Sequence, residues 1–145
     1  MPEDPESLRK RASLMLTSPQ SATLGFQLVS VTPEKSVVRI AWREDLVGDP
    51  DTDVIAGGVV TTLLDHVCGM AMQAATGGVS SGPTLDLRID YMRPAAARAG
   101  VIAEATCYKL TRSIGFVRAS AYDVDPADPI ATAQGAFARI TPASA

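Results

Sequence analysis

The chain of 145 residues has few of the side chains that usually hold metals, with two cysteines and one histidine. Cys68 and Cys107 stand far apart and lack the close spacing of a metal motif. This scarcity argues against a metal centre built from histidine or cysteine. Isolated thiols of this kind suit the reducing cytoplasm, so we expect a cytoplasmic protein.

The distribution of charge argues against several kinds of partner. The chain has 13 Lys and Arg against 16 Asp and Glu, and its basic residues are scattered rather than grouped as in a nucleic-acid-binding surface. Its acidic beginning does not resemble a secretory signal. The longest apolar stretch contains Asp65, His66 and Gln73 and falls short of a membrane span. We therefore expect neither nucleic acid nor a membrane as a partner.

Apolar sequence, by contrast, is sufficient for one folded core. Apolar residues make up 46% of the chain and charged residues 20%, as in globular proteins. The length fits a single domain over residues 1–145, and no internal repeat is visible. We predict that residues 1–23 form a helical extension, with one helix at Pro5–Thr17 that Ser18-Pro19 ends.

A glycine pair, Gly57-Gly58, opens the most informative segment. From Val59 to Thr76 the sequence is apolar at helical spacing, and Asp65 is its only formally charged residue. Gly77-Gly78 ends the predicted helix. A carboxylate on so apolar a helix needs either partners or an abnormal pKa, and both make Asp65 a candidate functional residue.

Six strands are predicted around this helix. Two precede it and four follow it in succession, joined by links short enough for hairpins, so we expect the last four to be antiparallel neighbours. In the first strand after the helix we expect side chains to alternate strictly between the two faces. Its apolar face consists of Leu85, Leu87, Ile89 and Tyr91. A polar loop is predicted at Glu44–Asp53. The predicted strands are Leu24–Val31, Ser36–Trp42, Thr84–Met92, Gly100–Leu110, Gly115–Asp123 and Ile130–Ile140.

These elements predict an α+β fold in which one long central helix is wrapped by a curved antiparallel sheet of about six strands. One sheet of this size leaves edges and a face open, so we expect a homodimer, which assembles further into a homotetramer.

Two segments resemble those of the hotdog-fold acyl-CoA thioesterases, in particular the group related to the phenylacetate-degradation thioesterase. The first is Gly57-Gly58-Val59-Val60-Thr61-Thr62-Leu63-Leu64-Asp65, followed by Gly69 and Ala71, and the second runs from Thr84 to Pro94. The resemblance implies a hotdog fold and hydrolysis of an acyl-CoA or aryl-acyl-CoA without metal or organic cofactor. In that family a His usually precedes the glycine pair and an Asn lies in the loop before it. This chain has Ala56 and no Asn.

Three residues are candidates for the chemistry. Asp65 is predicted to be the general base or the nucleophile. The resemblance makes the Gly57 N–H the oxyanion donor, and a helix N-terminus is suited to that role. It also makes Thr84 the residue that orients the attacking water or the carboxylate, although an ordinary strand threonine fits equally well. Eight residues separate Gly57 from Asp65, about 12 Å along a helix, so we expect a site shared between two protomers.

Further residues are candidates for holding CoA. Gly58 allows close approach of a ligand to the backbone. The resemblance places Asp86 and Tyr91, on opposite faces of their strand, along the pantetheine channel. Arg93, Lys109 and Arg112 could bind the CoA phosphates, although a solvated surface charge is the simpler reading of each. His66 is interpreted as structural. The alternative functions are non-catalytic binding of acyl-CoA or lipid, dehydration, and cleavage of a carrier-protein thioester.

Overall fold

The computed structural model describes residues 3–143. Its helices and strands follow the predicted order, with additions near the N-terminus and before the long helix. They are α1 (Pro5–Met15), α2 (Pro19–Leu24), β1 (Gln27–Val31), β2 (Ser36–Ile40), β3 (Val47–Asp49), β4 (Val54–Ile55), α3 (Gly57–Ala75), β5 (Thr84–Tyr91), β6 (Val101–Leu110), β7 (Ile114–Tyr122) and β8 (Ala131–Ala138).

A six-stranded antiparallel sheet, in the order β1-β2-β6-β7-β8-β5, carries the fold. Strand β3 pairs with β4 in a separate small ribbon just before α3. The long helix α3 contacts β2, β5, β6, β7 and β8. The predicted arrangement of one long helix on an antiparallel sheet of six strands is therefore confirmed.

Small side chains on the central strands let α3 lie close to the sheet. Alanines alternate with outward-facing residues along β6, β7 and β8, and those facing the helix are buried. At Gly115 even a methyl group would overlap Met72 of the helix. The helix supplies the bulk in return, because its buried face is large and apolar. The buried residues of α3 are Val60, Leu63, Leu64, Val67, Cys68, Met70, Ala71, Met72 and Ala74.

The position of β5 corrects one prediction. Strands β6, β7 and β8 are consecutive neighbours as expected, but β5 pairs with β8 rather than with β6. The link at 92–100 therefore crosses two intervening strands instead of forming a hairpin. Such a crossing covers about 14 Å, which nine residues span easily. As a result β5 is an edge strand, with one side of its backbone free.

Four elements were not predicted: α2, a short 3-10 helix, β3 and β4. The first helix ends at Met15 rather than at Thr17, and Pro19 begins a second helix, α2, because proline suits the first position of a helix and Ser18 precedes it as the cap residue. The expected polar loop at Glu44–Asp53 contains a short 3-10 helix and strand β3. Hydrogen bonding of Ala56 N–H to the carbonyl of Leu46, at 2.9 Å, ties this segment to the start of α3. None of the helices within residues 3–143 is long and apolar enough to cross a membrane.

Candidate active site

Asp65 has a specific partner. Thr84, the first residue of β5, donates a hydrogen bond of 2.6 Å from its Oγ1 to Oδ1 of Asp65 on α3. The carboxylate is partly exposed, and its Oδ2 makes no hydrogen bond within residues 3–143. The threonine thus holds one oxygen and leaves the other open to a water molecule or a substrate.

A β-bulge turns Thr84 toward Asp65. Thr84 is registered with the inward-facing Phe137 of β8, whereas Asp86 is registered with Ala136 on the outer face. The extra residue, Leu85, shifts the alternation by one position, which corrects the prediction of strict alternation from Leu85 onward. Without the bulge, Thr84 would share the outer face with Asp86. The sequence pattern alone therefore could not place Thr84 beside α3.

The neighbours of Asp65 on the helix point elsewhere. His66 Nδ1 lies 3.5 Å from Ser21 Oγ, and its ring centroid lies 5.7 Å from that of Phe26, so it faces the N-terminal segment. Burial lowers the pKa of His66, against the opposing effects of the Asp65 charge and the Met15 carbonyl. This placement agrees with a structural role and with the absence of an Asp65–His66 dyad.

Gly57 and Gly58 are the first two residues of α3, and their backbone N–H groups are free. Neither N–H makes a hydrogen bond within the described part of the chain, and Ala56 provides no side-chain cap. Neither glycine has a positive φ. A Cβ at Gly57 would make only ordinary contact with Tyr91, at 3.7 Å, and one at Gly58 would meet nothing within 4 Å. Within one protomer, therefore, the turn itself does not require these glycines, and a group from outside the chain is the better reason for them.

An apolar cleft adjoins this helix end. It encloses about 640 Å³ between the β3–β4 segment and the residues after β5. Its lining also includes Gly57, and its buried parts are formed by Ile55, Val60, Ala95 and Ile130. Its size and apolar lining suit a small-molecule ligand.

The glycine pair and Asp65 form two separate half-sites. Asp65 does not line the cleft beside Gly57, because eight residues of helix place the two about 12 Å apart. Strand β5 accompanies this half of α3, with Tyr91 at Gly57 and Thr84 at Asp65. Tyr91 Oη donates a 2.9 Å hydrogen bond to the Gly57 carbonyl and contacts Thr61 Oγ1.

Arg93 is held by acidic partners. Its guanidinium donates to both carboxylate oxygens of Asp123, at 3.0 and 2.7 Å, and its Nε lies 3.2 Å from Asp128. The Arg93 guanidinium holds the pKa of the nearly buried Asp123 well below its usual range. These contacts fasten the 92–100 crossing to the β7–β8 link, so they favour a structural role for Arg93 over phosphate binding.

The other candidate CoA residues are exposed. Asp86 lies on the outer face and Tyr91 on the inner face of β5, on opposite sides as predicted. Lys109 is registered with Phe116 after a bulge in β6, which places it on the outer face. Lys109 and Arg112 form no ion pair within the range 3–143.

Another groove, of about 540 Å³, crosses the outer face of the sheet. It is lined by mixed charges, including Arg88, Asp90, Glu104 and Arg118, and does not contain Asp65 or Gly57. We place the candidate site at the half-sites on α3, one with free N–H groups beside the apolar cleft and the other with the carboxylate of Asp65. Between residues 3 and 143, no group of three or more His, Cys, Asp or Glu side chains is arranged to hold a metal ion.

Sequence reasoning missed two parts of this site. One is the bulge at Leu85, for which the sequence carries no signal. The other is the bonding of the Gly57 carbonyl, which accepts hydrogen bonds from Thr61 Oγ1 at 3.1 Å and from Tyr91 Oη at 2.9 Å. The sequence did carry a signal for the Thr61 bond, because the hydroxyl of a helical threonine commonly bonds to the carbonyl four residues earlier.

Comparison with known proteins identifies the family of this chain. A family model described as the thioesterase superfamily matches residues 53–130, which contain both half-sites. A candidate esterase of Halobacterium salinarum is 30% identical over 108 residues, covering 72% of this chain and 69% of the relative.

Solved structures extend the similarity over most of the chain. A Pseudomonas aeruginosa protein is 36% identical, with a TM-score of 0.83 over 92% of this chain and 99% of that one. The E. coli PaaI protein from the phenylacetic acid degradation operon has a TM-score of 0.79 at 17% identity, covering 94% of this chain and 95% of its own. At that identity the likeness concerns the fold alone, and it confirms the predicted hotdog architecture.

Proposed function

The chain belongs to the thioesterase superfamily, and on that premise we propose that it hydrolyses an acyl-CoA or aryl-acyl-CoA thioester to the free acid and CoA. The observation that carries the proposal is the hydrogen bond of 2.6 Å from Thr84 to Asp65. It orients a carboxylate whose second oxygen is open, which is what either a general base or a nucleophile requires.

In the general-base route, Asp65 takes a proton from water as the water oxygen bonds to the thioester carbonyl carbon. The C–S bond then breaks, and the proton passes to the departing CoA thiolate. In the nucleophilic route, an Asp65 oxygen bonds to the carbonyl carbon, CoA leaves, and water cleaves the resulting anhydride. In both routes the Gly57 N–H stabilises the negative charge that develops on the carbonyl oxygen.

We further propose that the site is shared in a homodimer, with Gly57 from one protomer and Asp65 from its partner. The separation of about 12 Å along α3 supports this arrangement, because one carbonyl group cannot reach both residues of the same helix. The edge strand β5 also has apolar side chains uncovered, since Leu85 is 57% and Tyr91 51% exposed. An exposed apolar edge of this kind favours pairing with a second copy.

The CoA moiety is proposed to follow β5 and to place its phosphates near basic side chains. Lys109 and Arg112 are the candidates for this contact, because phosphate groups need cations or N–H donors. The apolar cleft beside Gly57 is suited to the acyl group. No metal or organic cofactor takes part in the proposed reaction.

The first test is release of free thiol from a panel of short, medium, long and aryl acyl-CoAs. The wild type is compared with Asp65→Asn, which keeps the size of the side chain but removes its basicity. We expect turnover of at least one class and a loss of about 100-fold or more in the variant, the usual contribution of a general base.

Asp90→Asn is the matched control, because Asp90 is an exposed carboxylate on the outer face of β5, away from α3. Its rate should equal that of the wild type. Near-normal turnover by Asp65→Asn would overturn the assignment of that residue. A wild type that binds CoA esters but hydrolyses none would refute hydrolysis and favour the non-catalytic binding protein.

A second test addresses the shared site. Asp65→Asn protein is mixed with a Gly57→Val variant and allowed to exchange subunits. Each mixed dimer then has one intact site and one doubly damaged site, so activity should recover to about half of the wild-type value per mixed dimer, since the helix geometry separates the two residues. Absence of recovery in mixed dimers verified by mass spectrometry would argue against a site divided in this way.

A further inference from the structure

The first turn of α3 is fastened to β5 through a single carbonyl group. Tyr91 Oη donates to the Gly57 carbonyl at 2.9 Å, and Thr61 Oγ1 donates to the same oxygen at 3.1 Å. The two hydroxyls also contact each other. The tyrosine ring lies against Gly57, where an added Cβ would be 3.7 Å from Cε1. One oxygen thus receives two side-chain donors from two different elements.

This helix end needs such support. Two successive glycines have more backbone freedom than any other pair of residues. The preceding residue, Ala56, provides no side-chain cap, so the usual means of ordering a first turn is missing. A hydrogen-bond donor on a loose turn is a poor oxyanion donor, because its stabilising effect depends on its being oriented before the reaction.

Holding the Gly57 carbonyl also orients the neighbouring N–H groups. The peptide unit is planar, so fixing the oxygen of Gly57 fixes the N–H of Gly58 on the opposite side. It restricts the φ and ψ of Gly57 as well, and hence the direction of its own N–H. Hydrogen bonds accepted by a carbonyl further polarise its peptide group, which strengthens the N–H as a donor.

We propose that Tyr91 is a positioning residue, which with Thr61 orders the Gly57–Gly58 turn for oxyanion binding. This proposal rests on the proposed thioester hydrolysis and assigns Tyr91 a role through the backbone rather than through contact with CoA. The glycines allow a thioester to approach closely, and the two hydroxyls restore the order that the glycines remove.

The test is Tyr91→Phe, which keeps the ring and removes the hydroxyl. We expect kcat to fall roughly three- to tenfold, as for the loss of one hydrogen bond, with KM changed less than twofold. Thr61→Val should have a similar effect, and Thr61→Ser should retain the wild-type rate. The double variant should lose less than the product of the two single losses, because both hydroxyls act on one oxygen. Tyr108→Phe is the control, since Tyr108 lies beside Arg118, away from α3.

A measurement independent of activity accompanies the kinetics. In protein labelled with ¹⁵N-glycine, the amide order parameters of Gly57 and Gly58 should be near 0.85 in the wild type and fall toward about 0.6 in Tyr91→Phe. Tyr108→Phe should leave them unchanged.

Unchanged order parameters in Tyr91→Phe would overturn the positioning role whether or not the protein hydrolyses thioesters. A raised KM at constant kcat would instead make Tyr91 a substrate contact and would also overturn it. If the wild type shows no turnover, hydrolysis fails as the function, while the order parameters still decide whether Tyr91 orders the turn.

Discussion

Two glycine pairs bracket the long helix, and the structure uses them differently. At the C-terminal end, Gly77 and Gly78 have φ values of +69° and +78°, which side chains other than glycine rarely adopt. At the N-terminal end, Gly57 and Gly58 have ordinary helical backbones, and an added Cβ would fit beside either. The backbone conformation explains why Gly77 and Gly78 are glycines, but it does not explain Gly57 and Gly58.

The difference separates glycines that the backbone of one chain requires from glycines that it does not require. Gly78 also packs so closely that its Cβ would lie 2.5 Å from Arg11 Cδ and 2.7 Å from Glu3 Oε2. The positive φ of Gly78, set by the fold of one chain, accounts for glycine at this position. For Gly57 and Gly58 the chain sets no such condition, and a ligand or a second protomer is the remaining physical reason.

The largest expected effect that separates the two pairs is on activity. Gly57→Ala adds a methyl group where the thioester approaches in the proposed site, so we expect kcat/KM to fall by about tenfold or more, as when a positioned donor is displaced. The free energy of unfolding should not decrease, because alanine favours a helix over glycine by about 1 kcal/mol. Thiol release and urea unfolding measure the two quantities.

Gly69→Ala is the matched control for that change. Gly69 lies in the same helix, and its Cβ would make ordinary contact with Phe137 at 3.6 Å. We expect normal activity and equal or greater stability. Full activity in Gly57→Ala would contradict the view that this glycine serves the approach of a ligand.

A smaller effect, on stability, is expected at the other end of the helix. Gly78→Ala should lower the free energy of unfolding by about 1–3 kcal/mol, because a non-glycine residue is strained at its positive φ. Activity per folded molecule should be retained. Gly77→Ala shares the positive φ but has no crowding atom within 4 Å, so its loss should be the lesser of the two. If Gly78→Ala unfolded at the same midpoint concentration of urea as the wild type, the distinction between the two glycine pairs would be removed.

Much of the fold followed from local patterns. The helix α3 was predicted over nearly its observed span because apolar residues recur at helical spacing and glycines flank it. The strands β6, β7 and β8 followed from alternation and from short links. Strand β5 was found but its neighbour was not, since pairing depends on where a crossing of nine residues delivers the chain rather than on any local pattern.

The candidate site divides in the same way. Asp65 and the glycine pair were identified from the sequence, because a carboxylate on an apolar helix and two glycines at its start are local departures from what a helix prefers. The pairing of Arg93 with Asp123 and the bonding of Tyr91 to Gly57 join residues 30 and 34 positions apart. No periodicity in the sequence specifies contacts of that kind.

Local patterns in the sequence specify which residue types stand on which element: the acid on α3, the glycines at its start and the threonine at the start of β5. Tertiary structure alone decided which of them meet. A bulge of one residue, Leu85, turns Thr84 to the face of Asp65, and the placement of β5 at the sheet edge brings Tyr91 to Gly57. The physical reason is that periodicity fixes the face of a side chain only while the backbone stays regular, whereas register and strand order depend on packing of the whole chain.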